Sequence, residues 1–377
     1  MGFSDLRLVL VGPLPPPSGG MANQTEQLAR LLQEEGSHVR LVATNAPYRP
    51  AWIGRLRGVR ALWRLGAYRR ALRRALPGAG LVHVMANSGW AWHLRAAPAI
   101  RAARRAGVPV VVNYRGGEAE VFFARSFRWV EPTLRQADAV IVPSGFLEAV
   151  FSRRGIAVHI VPNVIDLHRF RPASPRPAGP APHVVVARNL EAIYDIPTAL
   201  RAFATLRTAF PGARLSVAGS GPLRSQLRDL ARDLGIAAAV TFTGRLDNAR
   251  MAGLYAGADL VLNPSRADNM PISILEALAS GVPVVSTNVG GVPFLVEDGR
   301  TALLVPPGDP QAMAASTMRI LGEPALAASL RGAGLEAIQH YAWPAVRERL
   351  LAVYGLARSE PPLDAARPAP RYTALNS

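Results

Sequence analysis

The sequence predicts an α/β protein of two domains, each built on a parallel β-sheet with helices on both faces. The chain has 377 residues, enough for two hydrophobic cores at roughly 100–200 residues per domain. Short apolar runs alternate with segments of helical periodicity along its length, a pattern typical of parallel sheets. Residues 171–182 contain five prolines and cannot form a helix or a central strand. We therefore expect this segment to link the two domains.

The first predicted domain, residues 1–170, opens with a strand, a loop, a helix and a second strand. An apolar run at 6–11 leads into a loop that contains Gly19 and Gly20, and helical spacing follows at 25–32. Further strands are predicted at 39–43, 81–85, 108–113 and 139–142. Because turn residues and helical periodicity separate these runs, we expect crossover helices and a parallel sheet.

The second predicted domain, residues 183–342, repeats the alternation. Strands are predicted at 183–187, 214–218, 240–243, 260–263, 283–286 and 302–305, and helices at 197–210, 222–234, 247–255, 272–280 and 310–321. A last amphipathic helix at 343–358 precedes a tail at 359–377 with the composition of a disordered segment. Ligands of such sheets bind at the carboxyl ends of the strands, so we expect a site in a cleft between the two sheets.

Composition excludes several kinds of chemistry. The chain has no cysteine, which excludes disulfides, thiolate nucleophiles and cysteine-ligated metals. All 43 basic residues are arginine, so Schiff-base chemistry, including that of a pyridoxal-phosphate-dependent phosphorylase, is excluded while bidentate recognition of phosphate remains. No apolar run reaches the roughly 18 residues of a membrane span, and the N-terminus lacks the layout of a signal peptide. We expect a cytoplasmic protein.

The net charge of +17 is concentrated in the first half of the chain. Residues 1–170 carry 23 arginines against 10 acidic residues, and residues 51–76 hold eight of those arginines and no acid, with tryptophans between them. Arginine and tryptophan at helical spacing favour an interfacial helix on an anionic membrane surface. The alternative is a solvated helix packed on the first sheet. We expect no nucleic-acid partner, because no recognised nucleic-acid module accompanies the charge.

Two carboxylates stand out in the second half. Asp268 lies in the loop after a predicted strand, and Glu276 lies in the second turn of a helix that begins near Pro271. The start of that helix offers unpaired N–H groups to an anion, and carboxylates beside it can accept hydrogen bonds from sugar hydroxyls. The alternative is a helix cap for Asp268 and a solvated position for Glu276. Apolar neighbours of Glu276 argue for a ligand or partner that receives its charge.

This segment resembles the signature of the family 4 retaining glycosyltransferases of the GT-B fold, in an exopolysaccharide-type subgroup. Asp268 and Glu276 are separated by seven residues, and Gly-Val-Pro-Val-Val follows at 281–285. Similar pieces occur in the family's order across residues 5–358, at 19–20, 161–166, 187–188, 219–223, 242–245, 287–293 and 297–299. The resemblance implies two Rossmann-like domains that face each other across a cleft, with a C-terminal helix that returns to the first domain.

The resemblance also implies roles for individual residues. Glu276 would accept hydrogen bonds from the ribose of a nucleotide, Asp268 would contact the transferred sugar, and Arg188 would neutralise the diphosphate. The other donor-binding residues that it implies are Gly19, Gly20 and Gly221 in glycine loops, Met270, Pro271 and Ile272 near sugar or phosphate, and Arg245 and Leu246 beside the base.

The sequence departs from the family pattern at three positions. Asp268 stands where the family usually has glutamate, and Tyr194 lies at or near the position of a usual lysine. Arg115, followed by Gly116 and Gly117, stands where an active-site histidine is usual. We expect Arg115 to bring to the site the positive charge that the missing lysine would carry. The alternative for Arg115 is an ordinary surface arginine.

The predicted function is a retaining transfer of a hexosyl group from a nucleotide-diphosphate sugar to a saccharide or lipid-linked saccharide. We expect no metal and no other cofactor, because arginine and helix N-termini can stabilise the diphosphate and His83, His93 and His159 are scattered. A lipid-linked acceptor favours a peripheral position on the inner membrane face. One alternative is a catalytically idle nucleotide- or polyanion-binding protein on the same fold, and another is an isomerase or phosphorylase with a related cleft.

Overall fold

The computed structural model describes residues 2–15, 20–47, 59–173 and 181–359. For residues 59–62 and 359 it describes the backbone alone. The chain forms two compact units, Met1–Pro162 with Arg347–Ser377, and Asn163–Val346. The first unit thus ends before the predicted boundary at residue 170, because Ile165 and Phe170 are buried in the core of the second unit. Residues 174–180 of the predicted linker lie outside the described residues.

The first unit contains, within its described residues, one sheet of six parallel strands. The strands are β1 (Arg7–Gly12), β2 (His38–Ala43), β3 (Leu81–Ala86), β4 (Val110–Tyr114), β5 (Ala139–Val142) and β6 (His159–Ile160). The helices are α1 (Gly20–Glu34), α2 (Val59–Ala75), α3 (Ala97–Arg105), α4 (Ala119–Leu134) and α5 (Gly145–Ser152). The strand order is β2-β1-β3-β4-β5-β6, so the direction of winding reverses between β1 and β3, where such sheets bind ligands.

Helix α2 covers this sheet with one face. Tyr68 and Leu72 of α2, and Leu76 directly after it, are buried in the core. Arg69 and Arg70 are exposed, as are the arginines of the last turn of α2. The apolar side of this part of the basic segment therefore packs inside the protein. Residues 51–58 of the segment lie outside the described residues.

The second unit contains a second sheet, again with six parallel strands in its described residues. The strands are β7 (His183–Ala187), β8 (Arg214–Ala218), β9 (Val240–Gly244), β10 (Leu260–Asn263), β11 (Val284–Thr287) and β12 (Leu303–Val305). The helices are α6 (Ile196–Ala209), α7 (Arg224–Asp233), α8 (Asn248–Ala256), α9 (Ile272–Ala279), α10 (Pro310–Gly322) and α11 (Pro324–Ala337). The order β12-β11-β10-β7-β8-β9 places its reversal between β7 and β10.

Helix α11 has no counterpart in the sequence prediction. Its sequence is rich in alanine and glycine, and in its described part Leu330 and Gly334 are the buried residues, so it shows no clear apolar stripe. A Cβ at Gly334 would lie 2.9 Å from Cδ2 of Leu278. The small residue therefore allows α11 to pack closely on α9.

The last helix, α12 (Trp343–Ser359), returns to the first unit as predicted. Tyr354 is buried and packs edge-on against Phe3 and His83. Arg347 forms an ion pair of 2.7 Å with Glu35. The C-terminal part of α12 therefore completes the core of the first unit.

Candidate active site

The loop between β10 and α9 carries Asp268 at the carboxyl edge of the second sheet. The N-cap of α9 is Pro271, which makes no side-chain capping bond. Asp268 instead accepts a hydrogen bond of 3.0 Å from the backbone N–H of Asn269 through Oδ1. The helix starts where the sequence predicted, but Asp268 is not its cap, and that alternative is wrong.

Arg188 follows β7 and contacts the same loop. Its guanidinium forms an ion pair with the Asp268 carboxylate, and only 11% of the Arg188 side chain is exposed. The Nε and Nη2 groups donate to Oγ of Ser265 at 3.2 and 3.1 Å. The guanidinium also lies over the Tyr194 ring, 4.6 Å from its centroid. Burial lowers the pKa of Arg188 to about 10, so the side chain stays protonated at neutral pH.

A buried polar network supports Ser265 from behind. Its hydroxyl donates to Oδ1 of Asn263 at 3.1 Å, and Nδ2 of Asn263 donates to the Ser286 hydroxyl at 2.9 Å. The Thr287 hydroxyl donates to the Ser265 carbonyl at 2.6 Å. The ends of the neighbouring strands β10 and β11 thus hold the residue that orients Arg188. Sequence analysis missed these residues, although polar side chains at the ends of two apolar runs were a signal.

Glu276 is half-buried on α9, so the alternative of a solvated helix position is wrong. Oε2 of Glu276 accepts a hydrogen bond of 3.1 Å from the hydroxyl of Tyr255, which is fully buried on α8. Burial raises the pKa of Glu276 to about 7, against the opposing effects of the Tyr255 hydrogen bond and the Arg188 charge. The apolar neighbours of Glu276 indicated that its carboxylate needs a partner. That partner is Tyr255, which was not predicted from the sequence.

Two pairs of glycines allow the loops of this edge to approach one another. A Cβ at Gly219 or Gly221 would collide with the backbone of Arg188 or Leu190. A Cβ at Gly290 or Gly291 would collide with the backbone of the Asp268 loop. Contacts between loops of the protein thus account for these glycines. Donor binding by Gly221 stays a prediction.

The other predicted donor-binding residues of the second unit lie at the same sheet edge. Met270 and Pro271 are buried before α9, Ile272 is half-buried at its start, and the Met270 carbonyl accepts 3.1 Å from Nδ2 of Asn163. Arg245 and Leu246 follow β9, and Nη2 of Arg245 donates to the Ser220 hydroxyl at 3.2 Å.

The predicted residues of the first unit belong to the segments that follow β1 and β4. Gly20 is exposed at the start of α1, and Gly19 lies outside the described residues. Arg115 directly follows β4, and burial lowers its pKa to about 10. Since Arg115 is partly buried and its Nε donates to Oδ1 of Asn113 at 3.1 Å, it is not an ordinary surface arginine. A Cβ at Gly116 would collide with Ser88 and lie 2.9 Å from Oδ1 of Asn87.

A chain of hydrogen bonds connects Arg115 to helix α12. Nδ2 of Asn113 lies 3.1 Å from Nε2 of His83, and Nδ1 of His83 lies 2.8 Å from the hydroxyl of Tyr354. Because the Asn113 amide can only donate there, Nε2 is the acceptor and Nδ1 carries the proton. Burial, assisted by the Arg115 charge, lowers the pKa of His83 to about 3, which keeps the ring neutral. His83 is therefore structural.

Both halves of the chain match models of known families. Residues 18–169 match the model described as Glycosyltransferase Family 4, and residues 181–323 match the model described as Glycosyl transferases group 1. The chain belongs to glycosyltransferase family 4. The family that the spacing of Asp268 and Glu276 indicated is thereby confirmed, whereas retention and the exopolysaccharide-type subgroup stay predictions.

Curated relatives of this family 4 member agree with that assignment. The chain is 31% identical over 279 residues to glycogen synthase of Mycobacterium tuberculosis, with 69% of this chain and 66% of the relative covered. It is 34% identical over 248 residues to the D-inositol 3-phosphate glycosyltransferase of Actinosynnema mirum, with 60% of each covered. The chain thus spans about two thirds, or less, of the length of these relatives.

Solved structures confirm the GT-B fold of this family 4 member. Sucrose-phosphate synthase from Thermosynechococcus elongatus matches with a TM-score of 0.76 at 23% identity, over 93% of this chain and 98% of that one. HepE of Anabaena, solved in complex with UDP and glucose, matches with a TM-score of 0.71 at 18% identity, over 93% and 99%. At these identities the likeness concerns the fold.

Two further features bear on cofactors and membranes. Among the described residues, no three histidine, aspartate or glutamate side chains are gathered in a way that would hold a metal ion. Metal independence stays a prediction. No helix in the described ranges has both the length and the apolar character to cross a bilayer.

Proposed function

We propose that this family 4 member is a retaining glycosyltransferase that moves a hexosyl group from a nucleotide-diphosphate sugar to a saccharide or lipid-linked saccharide. The observation that carries the proposal is the grouping of Arg188, Asp268 and Glu276 at the carboxyl edge of the second sheet. Such a donor needs a cation at its diphosphate and acceptors at its sugar and ribose hydroxyls. The UDP and glucose in the HepE structure support a donor of this class.

In the proposed reaction the acceptor hydroxyl oxygen bonds to the anomeric carbon of the hexosyl group. The bond from that carbon to the β-phosphate oxygen breaks, and its electron pair stays on the phosphate. The leaving phosphate takes the proton of the acceptor hydroxyl on the same face of the sugar, which retains the configuration. Arg188 and the N-terminus of α9 stabilise the charge that develops on the diphosphate.

Before the donor binds, the ion pair between Arg188 and Asp268 compensates the charge of both side chains. Each of the two side chains is largely buried, with 11% and 13% exposed, and each neutralises the other. A diphosphate that binds Arg188 releases Asp268 to accept hydrogen bonds from the transferred sugar. The pair thus keeps both groups in position without a ligand and exchanges partners when one binds.

Turnover of nucleotide sugars tests the proposal. We expect the protein to release UDP or GDP from one of a set of UDP- and GDP-sugars in the presence of saccharide acceptors. Release that persists in EDTA, and a product with the anomeric configuration of the donor, would support metal independence and retention. Tight binding of a donor without turnover over a broad acceptor set would instead identify an idle nucleotide-binding protein.

We also propose that the protein is cytoplasmic and attaches peripherally to the anionic inner face of a membrane through residues 51–76. The described part of this segment exposes Arg69, Arg70, Arg73 and Arg74, and 45% of Trp63 is exposed. Each such arginine contributes on the order of 1 kcal/mol at an anionic surface. Because the apolar face of α2 is used in the core, attachment would rest on charge and Trp63.

Sedimentation with vesicles tests the membrane proposal. The protein is expected to bind vesicles of phosphatidylcholine mixed with phosphatidylglycerol and not vesicles of phosphatidylcholine alone. Replacement of Arg69, Arg70, Arg73 and Arg74 by glutamine should weaken that binding strongly and leave turnover of a water-soluble acceptor intact. Equal sedimentation of this variant and the parent would contradict the proposal.

A further inference from the structure

Two loops at the carboxyl edge of the second sheet are joined by contacts that involve two arginines. The loop after β7 contributes the neighbours Tyr194 and Asp195, and the loop after β10 contributes the neighbours Ser265 and Arg266. Tyr194 and Ser265 contact the guanidinium of Arg188. Asp195 contacts the guanidinium of Arg266, whose Nε donates to Oδ2 at 2.9 Å.

A backbone hydrogen bond joins the same two loops between these contacts. The N–H of Arg266 donates to the carbonyl of Ile193 at 2.8 Å. On the first loop Tyr194 contacts Arg188 and the next residue, Asp195, contacts Arg266. On the second loop Ser265 contacts Arg188 and the next residue is Arg266 itself. The two guanidinium groups are therefore held at the same sheet edge by one continuous set of contacts.

Asp195 adopts a backbone conformation that argues for a specific role. Its φ is +42°, the only positive φ of a non-glycine residue in the described part of the chain, and side chains with a Cβ rarely adopt it. Asp195 is the N-cap residue of α6, yet its side chain makes no capping bond. The buried carboxylate instead accepts from Arg266 and from the Thr198 hydroxyl, at 2.9 Å each. Strain of this kind is concentrated at functional sites.

Arg266 remains open on its outer side. Its side chain is 64% exposed although its carboxylate partner is only 6% exposed. Arg188, in contrast, is 11% exposed and already paired with Asp268. The site therefore contains one buried arginine and one arginine that is anchored at Nε and presents charge outward.

We propose that Arg266 binds the diphosphate of the nucleotide donor as a second cation beside Arg188, with Asp195 as its positioning residue. A diphosphate carries its negative charge on two phosphoryl groups, and arginine binds such oxygens through several N–H groups at once. An arginine anchored through Nε keeps its terminal N–H groups for a ligand. This inference rests on the proposed function and adds a residue to the donor site.

The test compares nucleoside diphosphates with nucleosides, because only the former carry the group that Arg266 would bind. Calorimetric titration uses UDP, GDP, uridine and guanosine with the full chain and with Arg266→Ala. We expect the dissociation constant of the preferred diphosphate to rise about 10-fold in the variant, as for loss of a charged hydrogen bond. The dissociation constant of the matching nucleoside should stay unchanged.

A matched control removes a similar arginine elsewhere in the same unit. Arg319 is 57% exposed and pairs with Glu323 near the C-terminal end of α10, so Arg319→Ala makes the same change of charge. It should leave the binding of all four compounds unchanged. Asp195→Asn should weaken binding of the diphosphate by a smaller factor than Arg266→Ala, because it loosens Arg266 without removing it.

The outcomes separate this inference from the proposed function. Unchanged diphosphate binding by Arg266→Ala, or an equal loss for diphosphate and nucleoside, overturns the role of Arg266 while the function stands. A selective loss of diphosphate binding without any turnover by the parent protein supports Arg266 and overturns the function. A parent that binds neither UDP nor GDP overturns both.

Discussion

At the scale of single residues, the burial of the Glu276 carboxyl gives the site a pH dependence. Burial raises the pKa of Glu276 to about 7 from an ordinary 4.5, so the carboxylate forms only as the pH rises through 7. An ionised carboxylate accepts the hydroxyl groups of a ribose better than a neutral acid does. The folded chain holds this proton up to about pH 7 and the unfolded chain only up to about pH 4.5, so the free energy of unfolding falls as the pH rises from about 4.5 to about 7.

We expect the affinity for the preferred nucleoside diphosphate to rise with pH and to level off above about pH 7. This pH dependence should be absent in Glu276→Gln, whose side chain does not titrate, and binding should be several-fold weaker there at high pH. Titration calorimetry at a series of pH values measures both. An identical pH profile for parent and variant would show that another group titrates.

Tyr255→Phe should affect the site through Glu276. The hydroxyl hydrogen bond lowers the pKa of Glu276, so its removal should move the midpoint of the pH profile upward. The KM for the donor at neutral pH should rise about 3–10-fold, as for one hydrogen bond to a charged group, with a smaller change in kcat. A matched control is Tyr354→Phe, which removes another buried hydroxyl, 2.8 Å from Nδ1 of His83 in the first unit. If both variants shift the midpoint equally, the effect is not local to Glu276.

At the scale of elements, the loops of the second sheet depend on glycines that permit close approach. Gly291 precedes a short 3-10 turn at Val292–Phe294, and its N–H donates to the Asp268 carbonyl at 2.9 Å. A Cβ there would collide with the carbonyl of Asn269. The loop that carries Asp268 would have to move to accept any side chain.

Gly291→Ala should therefore destabilise the chain by about 1–3 kcal/mol, the usual cost of overpacking, and weaken donor binding. Gly253→Ala is the matched control, because Gly253 lies inside α8 and a Cβ there would meet no atom within 4 Å. Alanine should stabilise that helix by up to about 1 kcal/mol. Urea denaturation compares the two, and equal free energies of unfolding would contradict the loop contact.

At the scale of the whole molecule, helix α12 packs into the first unit. Its residues Val353, Tyr354 and Ala357 are almost fully buried, and Arg347 pairs with Glu35. Within the described residues, the first unit therefore takes part of its core from a segment that follows the whole second unit in sequence. We therefore expect the stability of the first unit to depend on this distant segment.

Truncation after residue 346 should lower the stability of the first unit by several kcal/mol, since loss of a buried aromatic side chain alone costs about 3–5 kcal/mol. Truncation after residue 359 keeps all of α12 and should leave the melting temperature unchanged. Scanning calorimetry of both proteins measures the difference. Equal melting of the two proteins would show that α12 contributes little to this core.

The alternation of strands and helices was predictable, because burial of a parallel sheet on both faces imposes continuous apolar runs. Strand β10 and helix α9 begin within a residue of their predicted positions. Helix α11 was not predictable from periodicity, since close packing on Leu278 selects small residues. The first domain also ends earlier than predicted, because residues after 162 pack into the second core.

The sequence by itself determined the family, the two-sheet fold and the residue types of the candidate site, because apolar periodicity and the spacing of Asp268 and Glu276 are local properties of the chain. Only the tertiary structure decided which side chains those residues meet. Tyr255, Ser265 and Asp195 lie 21, 77 and 71 residues in sequence from the residues they contact. Their hydrogen bonds form only when β7 pairs with β10 and α8 packs beside α9. Contacts of that kind depend on the packing of the sheet, which no local pattern encodes.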